Sequence, residues 1–344
     1  INPRVLLDKV TRRVVGQKDA ASELIGTICK NLKYGNYAGM KSNILLYGPS
    51  GCGKTELVRS LARELDIPLV IEDMTSYTAS GYVGDSVKAI LRRLFISSDN
   101  NMEKAEKGII VLDEIDKLAS TDARENVNKT DVQEELLKMI EGAKININDS
   151  NRTNQQLIMD TSNITFILCG AFTKLREQLK PRRILGFSDN VEDESPKIEV
   201  DNNSFVQYGL MTELVGRVPV KIPIKSLEVE DLEEILSHSS ISSLKIYEAA
   251  LLQEDHVKVV YANKPSFVKA VAKKAHELGT GARGLKTVID ETFLQATSEI
   301  GSSLPSKRIL FVSKETIDDP KVYTLRKVKK GNYELSERVR ESNQ

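Results

Sequence analysis

Three stretches of this sequence predict an α/β fold with a parallel sheet, followed by a smaller, mostly helical domain. In the first, Asn43-Ile44-Leu45-Leu46-Tyr47 is a short apolar run that reads as a buried strand. It ends in a glycine-rich loop, after which Leu57, Val58, Leu61, Ala62 and Leu65 fall on one side of a helix. In the second, Ile109-Ile110-Val111-Leu112 is apolar at every position, as in a parallel strand covered on both faces, and Asp113-Glu114 follows at its end. The third is a change of texture near Ser226. From there helical patterns run through Leu232–Leu236, Ser240–Leu252 and Phe267–Leu278.

The loop of the first stretch, Gly48-Pro49-Ser50-Gly51-Cys52-Gly53-Lys54-Thr55, fits G-x-x-x-x-G-K-T between a strand and a helix, the context a phosphate-binding loop requires. Glycines let backbone N–H groups turn toward an anion without Cβ clashes, and the helix start adds the positive end of its dipole. Lys54 is expected to reach the β- and γ-phosphates, and the Thr55 hydroxyl to take a Mg²⁺ coordination position. Glu56, next in the chain, completes the predicted nucleotide-binding set. Asp113 is expected to hold Mg²⁺ through water at the carboxyl end of its strand, where open α/β sheets bind ligands. Glu114 is expected to orient and deprotonate the attacking water. Nucleotide binding needs only one such carboxylate, so the second suggests hydrolysis. ATP and Mg²⁺ are therefore the predicted ligands.

Composition narrows the function further. Among 344 residues, Lys plus Arg and Asp plus Glu number 49 each, a neutral balance that argues against nucleic-acid or membrane-surface binding. The three cysteines (Cys29, Cys52, Cys169) form no C-x-x-C pair or zinc spacing, which favours a reducing, cytoplasmic setting, an organelle matrix being the other candidate. The three histidines (His238, His256, His276) stand in polar segments and read as surface residues. No apolar run reaches membrane-spanning length, and no signal peptide or internal repeat is evident.

In chain order, residues 1–40 read as two helices around the apolar loop Val14-Val15-Gly16-Gln17. Val15 there either helps cover a nucleotide base or simply packs. Pro68-Leu69-Val70-Ile71 is a second candidate buried strand, and Gly81-Tyr82-Val83-Gly84 is read as a loop. Tyr82 and Val83 either stand at the tip of that loop or tuck into the core. Val87, Ile90, Leu91 and Leu94 mark a helix. Residues 120–131 read as a polar loop before a helix from Val132 to Gly142, and Ile145 to Asp160 as an Asn-rich excursion. Ile164–Gly170 is a central strand. Leu185-Gly186-Phe187 is an anchor or an exposed plug at the base of 188–204, whose acidic and polar composition predicts a disordered surface loop. A short helix is expected over Leu210–Gly216. In the second domain Val257–Val260 and Ile309–Val312 suggest a small sheet, and Lys286–Ile300 a helix after the break Gly279–Leu285. The predicted domains are residues 1–225 and 226–326, with a charged tail at 327–344.

Taken in order, these motifs resemble the ClpX family of AAA+ protein unfoldases over about Asn2 to Thr324. The resemblance rests on Val14–Gln17, Gly48–Thr55, Gly81–Gly84, Asp113-Glu114-Ile115-Asp116-Lys117, Leu137–Gly142, Leu185–Phe187, Tyr208-Gly209-Leu210, Gly216–Val220 and Gly281-Ala282-Arg283-Gly284-Leu285. The related HslU family carries a large insertion between its nucleotide motifs, for which the distance from Thr55 to Asp113 leaves no room. Such a resemblance implies a homohexameric ATPase that threads protein substrates through a ring pore and delivers them to a ClpP-type peptidase. It makes Tyr82 and Val83 a pore loop, Arg217 an arginine finger offered to the adjoining subunit, Arg283 the sensor arginine of the small domain, and Leu185, Gly186 and Phe187 the peptidase-docking loop. Departures are present. Asn151-Arg152-Thr153-Asn154 stands where the family has an Arg-Lys-His cluster, residues 124–130 lack its second pore-loop glycine pattern, and no polar sensor follows Cys169-Gly170. The family's zinc-binding adaptor domain does not lie within these residues. Two other readings are a remodelling chaperone acting without a peptidase and a nucleotide-switched regulatory module.

Overall fold

The computed structural model describes residues 2–37, 39–78, 83–119, 126–148, 157–173, 175, 200–239, 242–302 and 306–328. The chain divides into two compact units, Ile1–Ser226 and Leu227–Gln344.

In the first unit, α1 (Pro3–Thr11) starts where the Asn2 side chain accepts from the Arg4 N–H and Pro3 takes a position that needs no donor. After α2 (Lys18–Tyr34) come β1 (Ile44–Tyr47), α3 (Lys54–Leu65), β2 (Leu69–Asp73), the short α4 (Thr75–Thr78), α5 (Val83–Ser97), α6 (Met102–Ala105) and β3 (Ile109–Asp113). A 3₁₀ turn, Ile115–Leu118, leads on to α7 (Asn126–Glu141), β4 (Lys144–Asn146), β5 (Ile158–Asp160), β6 (Thr165–Gly170), α8 (Asn202–Tyr208), α9 (Thr212–Gly216) and β7 (Val220–Pro223).

The main sheet runs β2-β3-β6-β1-β7, with every neighbouring pair parallel. β3 and β6 lie inside it and are buried almost throughout, which explains their unbroken apolar sequences. β2 lies at an edge and only Val70 in it is buried, so the expected strand forms but is not a buried one. β7, the opposite edge, was not anticipated. Its Val-Lys-Ile-Pro sequence alternates as an edge strand does, and Pro223 closes it.

Four further expectations are corrected. α7 begins at Asn126, inside the stretch read as a loop, because its polar first turns lie before the residues that reach the core, Val132, Leu136, Met139 and Ile140. Two ends of the Asn-rich excursion pair as an antiparallel hairpin, Lys144 opposite Asp160, which buries Met159 and Ile147. The end of the supposed disordered loop forms α8, started by a capping box in which Asp201 and Ser204 satisfy one another's backbone N–H. Val83 opens α5 rather than sitting in a loop.

At the end of β1, four aromatic rings meet edge to face in three pairs. Phe205 lies 5.3 Å from Tyr47 and 5.0 Å from Phe172 between centroids, and Phe172 also contacts Tyr208. Tyr47 is the last residue of β1, so this cluster backs the strand end from which the glycine loop departs. Phe205→Ala is expected to cost about 3–5 kcal/mol, read as a lower urea midpoint at unchanged slope.

The second unit contains α10 (Val229–His238), α11 (Ser243–Glu254), β8 (Val257–Tyr261), α12 (Lys264–Glu277), α13 (Ala282–Gly301), β9 (Arg308–Val312), α14 (Glu315–Asp318) and β10 (Thr324–Lys327). Its small sheet is β10-β9-β8, with β8 and β9 parallel as the two apolar runs suggested and β10 added antiparallel on the far side. β10 escaped the sequence reading because Thr-Leu-Arg-Lys carries one apolar residue. α13 starts at Ala282, four residues earlier than expected, since Gly281 supplies the positive φ of 61° from which the helix departs. Phe267 and Phe293 are fully buried between these helices, and the three histidines are exposed. Residues 329–344 of the predicted tail lie outside the described residues.

Candidate functional site

The glycine loop leaves the carboxyl end of β1 and returns as α3. Gly48, Gly51 and Gly53 all hold positive φ, at 152°, 73° and 95°. At Gly48 a side chain is also excluded by packing, because a Cβ would stand 2.3 Å from the Ile224 carbonyl oxygen. Gly53 is left-handed at the N-cap of α3 and offers no side chain to the first N–H groups of that 12-residue helix. Those donors are satisfied by no side-chain cap, as an anion site at a helix start requires.

Lys54 is buried, and its Nζ donates to the carbonyl oxygens of Gly48 and Pro49 at 2.7 and 2.8 Å. Burial holds its pKa below the usual lysine value, opposed by the Asp113 and Asp116 carboxylates. An ammonium folded onto neutral carbonyls of its own loop has the chemistry to accept phosphate oxygens as stronger partners.

Thr55 and Asp113 meet directly. Thr55 Oγ1 donates to Asp113 Oδ2 at 2.7 Å, while Oδ1 accepts from the Glu114 backbone N–H at 2.9 Å. The parallel sheet brings the ends of β1 and β3 to one edge, with β6 between them. Among the described residues no group of three or more His, Cys, Asp or Glu could hold a metal. A divalent cation here would therefore draw on Thr55, Asp113, phosphate and water, the ligand set that Mg²⁺ favours.

Glu114 occupies the left-handed region at φ 56°, ψ 36°, uncommon for a residue with a Cβ and a local strain of about 1–3 kcal/mol. The turn is held by the Lys117 N–H on the Glu114 carbonyl (2.9 Å). Sequence reading placed Asp116 in the motif Asp113–Lys117 but gave it no role of its own; its signal was a third carboxylate two residues after Glu114. It is buried, and its Oδ1 accepts from the Ala171 N–H at 3.2 Å, fastening this turn to the end of β6. That is the strand end where no polar sensor was found. A Cβ on Gly170 would stand 2.4 Å from the Phe172 ring and 2.9 Å from Asp116 Oδ1, so the crowded end of β6 admits only glycine.

The other predicted residues lie at varied distances from this centre. Val15 is buried in a loop beside the glycine loop; a Cβ on Gly53 would meet Val14 Cγ1 at 3.0 Å. Gln17 anchors that loop by donating to the Lys225 carbonyl and accepting from its N–H. Glu56 is engaged by Arg59 at 2.9 Å and by Ser60. Cys52 is buried, with Sγ 3.7 Å from the Ser50 carbonyl.

Arg217 is not brought to Lys54 and Thr55. It lies ahead of β7, whose Val220 pairs with Ile44 and whose Pro223 pairs with Tyr47. It therefore sits at the amino end of the strand pair from whose carboxyl end the glycine loop departs. Its guanidinium bonds Glu141 of its own chain, Nη2 at 2.8 Å and Nε at 3.0 Å. Arg283 belongs to the second unit and is exposed in the first turn of α13. Tyr82, Leu185, Gly186 and Phe187 lie outside the described residues, and of Val83 only the backbone is described.

A family model described as AAA domain (Cdc48 subfamily) matches residues 40–221, the stretch that holds both nucleotide motifs. The ATP-dependent Clp protease ATP-binding subunit ClpX of Treponema denticola is 32% identical over 339 residues, covering 92% of this chain and 81% of that protein. The chain belongs to the ClpX family of AAA ATPases. Two more ClpX relatives agree. ClpX 2 of Wolinella succinogenes is 35% identical over 270 residues (76% of this chain, 67% of that protein), and ClpX of Borrelia duttonii 32% over 356 (95% and 82%). Membership in ClpX makes this chain an ATPase with a nucleotide-binding α/β domain. Among the described residues no helix is long and apolar enough to cross a membrane.

Proposed function

We propose that this ClpX-type ATPase assembles as a homohexameric ring in the cytoplasm, unfolds protein substrates with ATP and Mg²⁺, and threads them to a ClpP-type peptidase. The observation that carries the hydrolytic part is the 2.7 Å contact between Thr55 and Asp113 beside the buried Lys54. Mg²⁺ would supply charge neutralisation on the β- and γ-phosphates when bound. In this reading Lys54 orients those phosphates, Glu114 takes a proton from the attacking water, Arg217 reaches the adjoining subunit's nucleotide, and Arg283 reads the γ-phosphate. Tyr82 and Val83 grip the polypeptide, and Leu185, Gly186 and Phe187 dock the peptidase. The names of the relatives, which call them Clp protease subunits, support the peptidase partner.

The deciding experiment follows unfolding of a stable fluorescent protein carrying a degradation tag, with and without a ClpP-type peptidase. ATP-dependent loss of fluorescence, abolished in Tyr82→Ala and followed by degradation only when peptidase is present and Phe187 intact, is the expected result. Unfolding without degradation favours a remodelling chaperone, and ATP turnover with no unfolding favours a regulatory module.

A further inference from the structure

A closed triangle of hydrogen bonds ties together the chain on both sides of residues 79–82. Arg93, on α5, donates from Nε to Glu72 Oε1 on β2 at 2.5 Å and from Nη2 to the Tyr77 hydroxyl on α4 at 2.8 Å. The Tyr77 hydroxyl donates in turn to Glu72 Oε2 at 3.0 Å. Each oxygen of the carboxylate has its own donor, the guanidinium uses two donors of its rigid fork, and the phenol both gives and takes. Tyr77 is buried and the Glu72 side chain is 12% exposed. An exposed Arg–Glu pair would contribute little, but a third partner and partial burial make the arrangement directional. Burial and the Glu72 charge push the Tyr77 phenol up to about 12, so it remains a donor at neutral pH.

The same elements lead to the nucleotide site by the backbone. β2 pairs with β3 so that Glu72 lies opposite Leu112 and Asp73 opposite Asp113. The Met74 N–H donates to the Asp113 carbonyl at 2.9 Å, and the Tyr77 N–H to the Met74 carbonyl at 3.2 Å. Asp113 is the residue whose carboxylate takes the Thr55 hydroxyl. One peptide link and one turn of α4 thus separate the cation-binding position from the triangle.

We propose that Glu72, Tyr77 and Arg93 are positioning residues that transmit the state of the nucleotide site at Asp113 to both flanks of residues 79–82. The consequence for polypeptide movement rests on the preceding reading of Tyr82; the coupling itself does not. A brace of this kind fixes the flanks to β2, the strand paired with the one that carries Asp113. Without it α4 would keep its bonds to Asp73, but α5 would lose the polar tie to β2 and α4 that Arg93 supplies.

Hydrogen–deuterium exchange on the full chain, with and without a slowly hydrolysed ATP analogue, tests this. In the parent protein the analogue is expected to change exchange in peptides covering 79–87. Tyr77→Phe removes the hydroxyl at the triangle's centre with little loss of packing. It should bind the analogue within about twofold of the parent, yet lose at least about two-thirds of that nucleotide-dependent change. Arg93→Lys should act the same way, because one ammonium does not reproduce the two-donor fork. A clamp that only stabilises the fold would raise exchange equally in both nucleotide states and leave their difference intact. That result, or a parent protein whose 79–87 exchange ignores nucleotide, overturns the proposal. In the unfolding assay Tyr77→Phe should spend about fivefold more ATP per substrate unfolded, since rearrangements would be uncoupled from turnover. If Tyr82→Ala leaves unfolding untouched, the translocation reading falls, and the exchange result still decides the role of the triangle.

Discussion

Glu114→Gln is expected to lower ATP turnover by about 10²–10⁴-fold while nucleotide affinity stays within about threefold. Affinity is carried by groups that the substitution does not touch: the loop from Gly48 to Gly53, the Lys54 ammonium, and the pair formed by Thr55 and Asp113. Glutamine keeps the shape and hydrogen-bonding capacity of glutamate but cannot accept a proton from water at neutral pH. Backbone strain does not confuse the comparison, because both residues pay the same cost of the left-handed conformation at φ 56°. The melting temperature should therefore move by no more than about 2 °C. Steady-state turnover and titration with a fluorescent nucleotide check the two halves separately. Turnover within tenfold of the parent would remove Glu114 from the role of general base. Asp116, the next buried carboxylate, would not inherit it, because its Oδ1 is committed to the Ala171 N–H.

How much of this was legible in the sequence follows from where each signal resides. The glycine loop and the Asp113-Glu114 strand end were readable because their constraints are local. Positive φ at three glycines, a helix start and an apolar strand are each written in consecutive residues. The edge strands β7 and β10 were not readable as strands. An edge position needs few apolar residues, and its pairing is decided by a neighbour distant in sequence, Ile44–Tyr47 for β7 and Arg308–Phe311 for β10. The early start of α7 was hidden for a similar reason, since polar turns ahead of a buried segment cost a helix little. The role of Asp116 and the triangle of Glu72, Tyr77 and Arg93 were not readable for another reason. Their significance is a hydrogen-bond geometry, which joins Asp116 to Ala171 and brings Glu72 and Tyr77 to Arg93 on another element, and single residues of those types are common on any surface.

Arg217→Ala and Glu114→Gln are each expected to be inactive alone, at a cost of about 10²–10⁵ in turnover, and to regain activity when mixed. The expectation comes from the register of the sheet. Val220 lies opposite Ile44 and Pro223 opposite Tyr47, so Arg217 precedes the amino end of a strand pair whose carboxyl end gives rise to Gly48. Asn43 Nδ2 donates to the Arg217 carbonyl at 3.0 Å and fixes its backbone there. Four residues of strand separate the two ends by about 13 Å, which disfavours service to the chain's own phosphates. In a mixed ring, an Arg217→Ala subunit still supplies an intact Glu114 and phosphate loop, and a Glu114→Gln neighbour still supplies an intact Arg217. Interfaces of that kind should hydrolyse ATP, so an equimolar mixture recovers a measurable fraction of parental turnover. Were Arg217 to act within its own chain, every site in the mixture would lack one of the two groups and the mixture would stay inactive. Glu141 enters the same experiment as a competitor. It holds the guanidinium through Nη2 and Nε, and the adjoining nucleotide must draw the side chain from it, an exchange of one anionic partner for another. Because both partners are exposed, that release costs little, about 1 kcal/mol or less, and does not offset the charge stabilisation that the arginine supplies.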